Sequence, residues 1–96
     1  MVIELKKFGT TLISRQLGKE AFAAFQSTLK TIPENENIMI DFEGVITFSP
    51  SWGDEFISPL YTRYEERITL KNTENSSVKA TLKILEEVNK IKFKII

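Results

Sequence analysis

The residue types that could support catalysis are concentrated between Asp41 and Glu55, a stretch that reads D-F-E-G-V-I-T-F-S-P-S-W-G-D-E. Mg²⁺ prefers oxygen ligands, carboxylates above all. Asp41, Ser51 and Asp54 could therefore form the site of a small metal- or nucleotide-binding enzyme. However, the chain contains no histidine, no cysteine and no glycine-rich phosphate loop, so the usual general base and phosphate-binding motif are missing. We keep this enzyme as the alternative hypothesis and expect no catalytic residue, no metal site and no cofactor.

Ser51 has a simpler interpretation, because it stands three residues before Asp54. This spacing is typical of a capping box, in which a serine accepts a hydrogen bond from a free amide at the start of a helix. It predicts a helix that begins at Ser51. Such a cap contributes about 1 kcal/mol and accounts for the serine without chemistry. Phosphorylation of the same hydroxyl is the competing interpretation, and the two roles can coexist.

Trp52 is the second candidate in this stretch. Tryptophan is enriched among the residues that dominate binding energies at protein interfaces, so Trp52 could anchor a partner. The alternative, which we prefer, is that its ring packs under the loop against Phe48 or Phe56.

The composition indicates one globular domain over residues 1–96. With 42% hydrophobic residues, a chain of this length can build one core without disulfides. Its 13 basic and 13 acidic residues balance, whereas a nucleic-acid-binding protein takes much of its affinity from a basic surface. No apolar run approaches the ~20 residues of a membrane span, and Glu4 falls where a signal peptide would be apolar. We therefore expect a cytoplasmic protein that binds neither nucleic acid nor membrane.

Apolar residues at helical spacing predict three helices. The second contains Pro59, which removes a backbone hydrogen bond, so we expect that helix to kink or stop early. The third has Ser76 and Ser77 as candidate caps, and its apolar face comprises Val78, Leu82, Leu85 and Val88.

Alternating or apolar runs predict the strands. Residues 2–8 and 11–13 suggest an N-terminal hairpin, residues 38–42 suggest a central strand, residues 67–71 suggest a further strand, and residues 91–95 suggest an edge strand. The element order β-β-α-β-α-β-α-β predicts an α/β fold, with helices packed on a single mixed sheet of four to five strands. An edge strand could also pair with a second copy, so a homodimeric structural subunit is a third hypothesis.

The strand and turn around Asp41 also carry a family resemblance. Ile40–Val45 resembles the strand-turn signature of STAS domains, the family of bacterial anti-sigma factor antagonists. The chain more closely resembles a STAS-like domain family of unknown function, whose pattern is similar to D-F-x-G-V, a short gap, S-x-x-D-E and an apolar helix. In this sequence the pattern falls on Asp41, Phe42, Gly44, Val45, Ser51, Asp54 and Glu55.

This resemblance implies a non-enzymatic, signalling role. In anti-sigma factor antagonists, a partner kinase of the histidine-kinase-like ATPase fold phosphorylates a serine at the start of this helix, and phosphorylation switches partner binding. Ser51 is the position that would inherit this role. The resemblance therefore implies a protein partner, either such an ATPase or a transcription regulator, bound through Ser49–Phe56. The implied partner-binding residues are Ser49, Ser51, Trp52, Asp54 and Glu55.

Overall fold

The computed structural model describes residues 1–96, in which strands and helices alternate along the chain. The helices are α1 (Arg15–Leu29), α2 (Pro50–Tyr64) and α3 (Ser76–Asn89). The strands are β1 (Val2–Glu4), β2 (Thr11–Leu12), β3 (Ile38–Asp41), β4 (Thr47–Phe48), β5 (Ile68–Lys71) and β6 (Lys94–Ile95). Short 3₁₀ turns, Leu5–Phe8 and Glu65–Arg67, follow β1 and α2. The predicted α/β class is confirmed, and β4 is an additional strand.

The main sheet has the spatial order β1-β3-β5-β6, and each neighbouring pair is parallel. Because the order follows the chain in one direction, right-handed crossovers place the helices on one face of the sheet. The burial pattern agrees: Ile38 and Ile40 are buried while Met39 between them is half-exposed. β6 lies at the sheet edge, as predicted, but it is only two residues long.

The predicted N-terminal hairpin is wrong. Leu5 turns into the core in a 3₁₀ turn, where its side chain is 0% exposed, and the chain then leaves the sheet. β2 pairs instead with β4, in parallel, as a separate two-stranded sheet. The Thr10 carbonyl reinforces this pairing by accepting hydrogen bonds from the amides of Ile46 and Thr47. No antiparallel pair remains, so the sheets are parallel rather than mixed.

The second helix does not stop at its internal proline. α2 runs from Pro50 through Pro59 to Tyr64. Leu60 and Phe56 on either side of Pro59 are completely buried, and this packing offsets the loss of one backbone hydrogen bond, which proline cannot donate. The expectation of an early stop is therefore wrong. None of the three helices combines the length and apolar character that crossing a bilayer requires.

The cap of the third helix is also different from the prediction. Asn75, rather than Ser76 or Ser77, precedes the first turn of α3, and its Oδ1 accepts hydrogen bonds from the amides of Ser77 and Val78 at 2.7 and 3.2 Å. Asparagine is among the best N-cap residues. The hydroxyl of Ser77 is consequently free for a tertiary contact.

Two glycines allow the helices to pack closely around the start of α2. A Cβ on Gly18 in α1 would lie 2.8 Å from the carbonyl oxygen of Trp52, and a Cβ on Gly53 would lie 2.8 Å from Cδ1 of Leu85 in α3. Real Cβ contacts are not this short, so the backbone of α2 can lie this close to α1 only because Gly18 lacks a side chain, whereas a Cβ on Gly53 would require the end of the Leu85 side chain to shift. These glycines position the start of α2.

Candidate functional site

Ser49, not Ser51, begins the helix that carries the predicted site. The Oγ of Ser49 accepts a hydrogen bond from the amide of Trp52 at 3.2 Å and donates one to the carbonyl of Ile13 at 2.6 Å. Pro50 follows as the first helical residue, a position that suits proline because the first amides of a helix have no partner within it. The predicted cap at Ser51 is therefore wrong, and Ser49 has a structural role.

Ser51 lies in the first turn of α2 and is half-exposed. Its hydroxyl makes no hydrogen bond to the rest of the protein, because the capping contacts belong to Ser49. Helix capping, which competed with phosphorylation as the role of Ser51, thus belongs to Ser49. Ser51 is a half-exposed hydroxyl near a helix N-terminus that forms no hydrogen bond within the protein.

Trp52 is a core residue. Its side chain is 2% exposed, and its ring stacks on Phe56 at 5.0 Å between centroids and meets the edge of Phe48 at 6.1 Å. The predicted packing against these two rings is confirmed. The prediction that Trp52 contacts a partner is wrong, because its ring is enclosed by the protein's own aromatic side chains.

Asp54 and Glu55 both bind one arginine from the start of α1. Nη1 of Arg15 lies 3.0 Å from Oδ2 of Asp54 and 2.6 Å from Oε2 of Glu55. These contacts raise the pKa of Arg15, first through the hydrogen bond to Asp54 and then through the one to Glu55. Local sequence patterns did not predict this ion pair, since its partners are 39 and 40 residues apart. The two carboxylates that were predicted to bind a partner are therefore paired with a cation of the protein itself.

A shallow cleft of about 150 Å³ lies beside this ion pair. Arg15, Pro50 and Asp54 form one wall, and α3 contributes Ile84 and Val88 on the other. Val88 was predicted on the buried face of α3, yet 68% of its side chain is exposed, and Ile84 is also exposed. The cleft is thus an apolar depression with a charged rim, at the place where three helices meet.

The loop that leads into α2 is held firmly by α3. The hydroxyl of Ser77 accepts a hydrogen bond from the amide of Phe48 at 2.9 Å, and Thr81 donates to the carbonyl of Phe48 at 2.5 Å. The side-chain amide of Asn75 donates to the carbonyls of Val45 and Ile46 at 3.2 and 3.0 Å. These contacts fix the approach to α2 and leave the side chain of Ile46 exposed.

Asp41 closes β3 in a different environment from Ser51 and Asp54. It is 7% exposed and accepts hydrogen bonds from the amide of Glu43 at 2.9 Å and from Nδ2 of Asn72 at 2.8 Å. Burial raises the pKa of this carboxyl, but the two hydrogen bonds and the nearby Lys71 and Lys6 outweigh it and hold the pKa below its ordinary value. Asp41 therefore stabilises the turn after β3 as a carboxylate.

The alternative metal site does not assemble from the predicted ligands. Asp41 is bound to Asn72, whereas Asp54 is bound to Arg15. No group of three or more acidic side chains lies close enough together to hold a metal ion.

A comparison with protein families gives one match. Residues 19–78, more than half of the chain, match the family described as STAS-like domain of unknown function (DUF4325). The matched segment runs from α1 to the first turn of α3 and includes β3, β4, α2 and β5. No curated protein and no solved structure matches the chain significantly. The chain belongs to this STAS-like domain family.

Proposed function

We propose that this protein is a non-enzymatic interaction module that binds a protein partner through the surface at the start of α2. This surface, the α2-start surface, comprises Pro50, Ser51, Asp54, Glu55, Arg15, Ile84 and Val88. The observation that carries the proposal is the exposed apolar pair Ile84 and Val88, which lies across a cleft from Pro50 and beside a charged cluster.

The chemistry of this surface is that of a protein interface. Specific interfaces combine a water-excluding apolar centre with a polar rim that fixes orientation. Here Ile84 and Val88 supply the centre, and the carboxylates of Asp54 and Glu55 supply the rim. Hydrogen bonds from α3 hold the preceding loop, so a partner would meet a largely formed surface and little ordering entropy would oppose binding.

Ser51 is the residue through which this binding would be switched. Its hydroxyl is unbonded and half-exposed, and a helix N-terminus favours a negative group. A phosphate would add a charge of about −1.5 to −2. Arg15 already forms ion pairs with Asp54 and Glu55. The repulsion between these carboxylates and a phosphate on Ser51 is therefore reduced. The fold would tolerate the phosphate, whereas a partner that covers Ser51 would have to bury an unpaired charge.

The resemblance to anti-sigma factor antagonists supports the choice of partner class. We expect a histidine-kinase-like ATPase that acts on Ser51, or a transcription regulator that responds to it. Family analogy, rather than the geometry of the site, supports this partner class. The metal- or nucleotide-binding enzyme is not carried forward, because Asp41 accepts hydrogen bonds from Asn72 and Glu43 while Asp54 is paired with Arg15.

Capture of partners with charge variants tests the proposal. We would compare the wild-type protein with Val88→Lys and with Ile96→Lys, since both side chains are 68% exposed and only Val88 lies on the α2-start surface. We expect Val88→Lys to lose an ATPase or regulator that the other two proteins retain. Equal recovery by all three proteins would reject this surface.

A further inference from the structure

A second cleft, of about 490 Å³, lies at the opposite end of α2. Three basic residues line it: Lys30 directly after α1, Arg63 in the last turn of α2, and Arg67 directly before β5. We call it the basic cleft. It lies where β3 and β5 begin, whereas the α2-start surface lies beyond the ends of these strands.

The positive charge of the basic cleft is not compensated by the protein. The ion pairs of the chain involve Lys6, Lys7, Arg15 and the amino terminus, and none of the three cleft cations. Glu34 is the one acidic residue in the lining, and it is the backbone carbonyl of Glu34 that binds Arg67. In a chain with a net charge of zero, the lining of three basic residues and one acidic residue is a local excess of positive charge.

The two guanidinium groups are held in place by uncharged neighbours. Their Cζ atoms lie 5.7 Å (Arg63) and 5.0 Å (Arg67) from the centre of the Tyr64 ring. Arg63 also donates to Oε1 of Gln26 at 3.2 Å. A guanidinium has five N–H donors, and each of these arginines uses one of them within the protein. The remaining donors are pre-oriented, so binding a ligand would cost little side-chain entropy.

Helix capping does not account for these arginines. Basic side chains near a helix C-terminus often bind its last carbonyls. In α1, however, the carbonyls of Gln26, Thr28 and Leu29 accept backbone amides instead. Neither Arg63 nor Arg67 donates to the terminal carbonyls of a helix, since their partners are a side-chain amide and a loop carbonyl. The donors therefore remain available to a ligand.

We propose that the basic cleft binds the phosphoryl group of a small organic phosphate. The N–H groups of a guanidinium match the spacing of phosphate oxygens, and hydrogen bonds between charged groups are stronger than those between neutral groups. The cleft volume is in the range of small-molecule sites, about 300–1,000 Å³. Ile32, Pro33 and Tyr64 line the same cleft and offer the organic part an apolar wall. This site is independent of partner binding at the α2-start surface.

The test is an NMR titration of the ¹⁵N-labelled protein at constant ionic strength with phenyl phosphate, and separately with inorganic phosphate. We expect saturable shifts centred on Lys30, Arg63 and Arg67, with phenyl phosphate binding several-fold more tightly. The double variant Arg63→Gln/Arg67→Gln should bind at least tenfold more weakly. Lys79→Gln/Lys83→Gln, which removes two exposed charges from α3, should bind like the wild type.

Three results would overturn the proposal: no saturable shift, equal weakening by both double variants, or shifts spread over all the lysines. If inorganic phosphate binds as tightly as phenyl phosphate, or if a phosphoserine peptide binds more tightly than either, the ligand is not a small organic phosphate. Lys30→Gln provides a second variant at an exposed position if the arginine double variant fails to fold, and it should also weaken binding.

Discussion

Nη1 of Arg15 lies 2.6 Å from Oε2 of Glu55, joining the first turn of α1 to the second turn of α2 through two residues that are 40 positions apart in the chain. The same nitrogen binds Asp54. Gly18, one turn further along α1, lets the backbone of α2 approach closely at the same place. The start of α2 is therefore a fixed junction between helices, on which an unbonded serine hydroxyl is displayed.

Ser49 and Ser51 should respond differently to substitution by alanine. Ser49→Ala removes the cap of α2 and the hydrogen bond to the Ile13 carbonyl, and loss of a cap costs about 0.5–2 kcal/mol. Ser51→Ala should change the free energy of unfolding by less than about 0.5 kcal/mol. Urea unfolding of the two variants measures both. A larger loss for Ser51→Ala would show that Ser51, not Ser49, supports the helix.

Gly18→Ala should destabilise the protein although alanine is the better helix former. The added methyl would lie 2.8 Å from the Trp52 carbonyl oxygen, and overpacking of this kind costs about 1–3 kcal/mol. Ser27→Ala, at an exposed position of the same helix, is the control and should leave the thermal midpoint unchanged or slightly higher. A stabilised Gly18→Ala variant would contradict the close contact between α1 and α2.

Asp41 should contribute to stability at neutral pH and lose this contribution in acid. Its folded-state pKa is lowered below the ordinary value of 3.8, so the folded state binds its proton less readily than the unfolded state does. The contribution is complete above the ordinary pKa and disappears as the pH falls through the lower, folded-state pKa. Urea unfolding across this range should therefore show the wild type and Asp41→Asn converging as the pH falls.

Glu43→Gln is the control for this pH dependence, because Glu43 is an exposed carboxylate two residues later. At neutral pH it should lower the free energy of unfolding less than Asp41→Asn does, because the Glu43 side chain makes no hydrogen bond comparable to those of Asp41. A stability difference between the wild type and Asp41→Asn that stays constant through the acid range would show that Asp41 does not titrate as the hydrogen bonds imply.

Ser51→Glu should weaken partner binding while leaving the fold intact. The carboxylate places a negative charge on the α2-start surface, and burying an unpaired charge under a partner costs several kcal/mol. We therefore expect at least a tenfold loss of affinity for the captured partner, measured by surface plasmon resonance. Ser76→Glu at the exposed start of α3 should bind normally. Undiminished binding by Ser51→Glu would argue against a phosphorylation switch.

Local sequence patterns predicted the helices and inner strands, because periodic apolar residues must face one core. They also located the family motif from Asp41 to Glu55. The cap was misplaced by two residues, since S-x-x-D matched Ser51 although Pro50 already marked the first helical position. Of the proposed α2-start surface, Ser51, Asp54 and Glu55 had been predicted from the sequence, and their role in binding stays a prediction.

Features that depend on distant parts of the chain could not be read from local patterns. The two-residue strands β2 and β4 carry no periodic signal, so their pairing across 36 residues was missed and a hairpin was expected instead. Val88 has the right spacing for burial, but it lies at the margin of the contact between α2 and α3, where exposure depends on the neighbouring helix. Arg15 had no evident role because its partners belong to another helix.

Site-specific photo-crosslinking in cells tests the central claim most directly, because it reports contact rather than an effect of substitution. A photoreactive phenylalanine would replace Pro50, Val88 or, as the control, the equally exposed Ile96. We predict that Val88 and Pro50 yield adducts with the same histidine-kinase-like ATPase or transcription regulator, and that Ile96 does not. An adduct formed from Ile96 but from neither Pro50 nor Val88 would contradict partner binding at the α2-start surface.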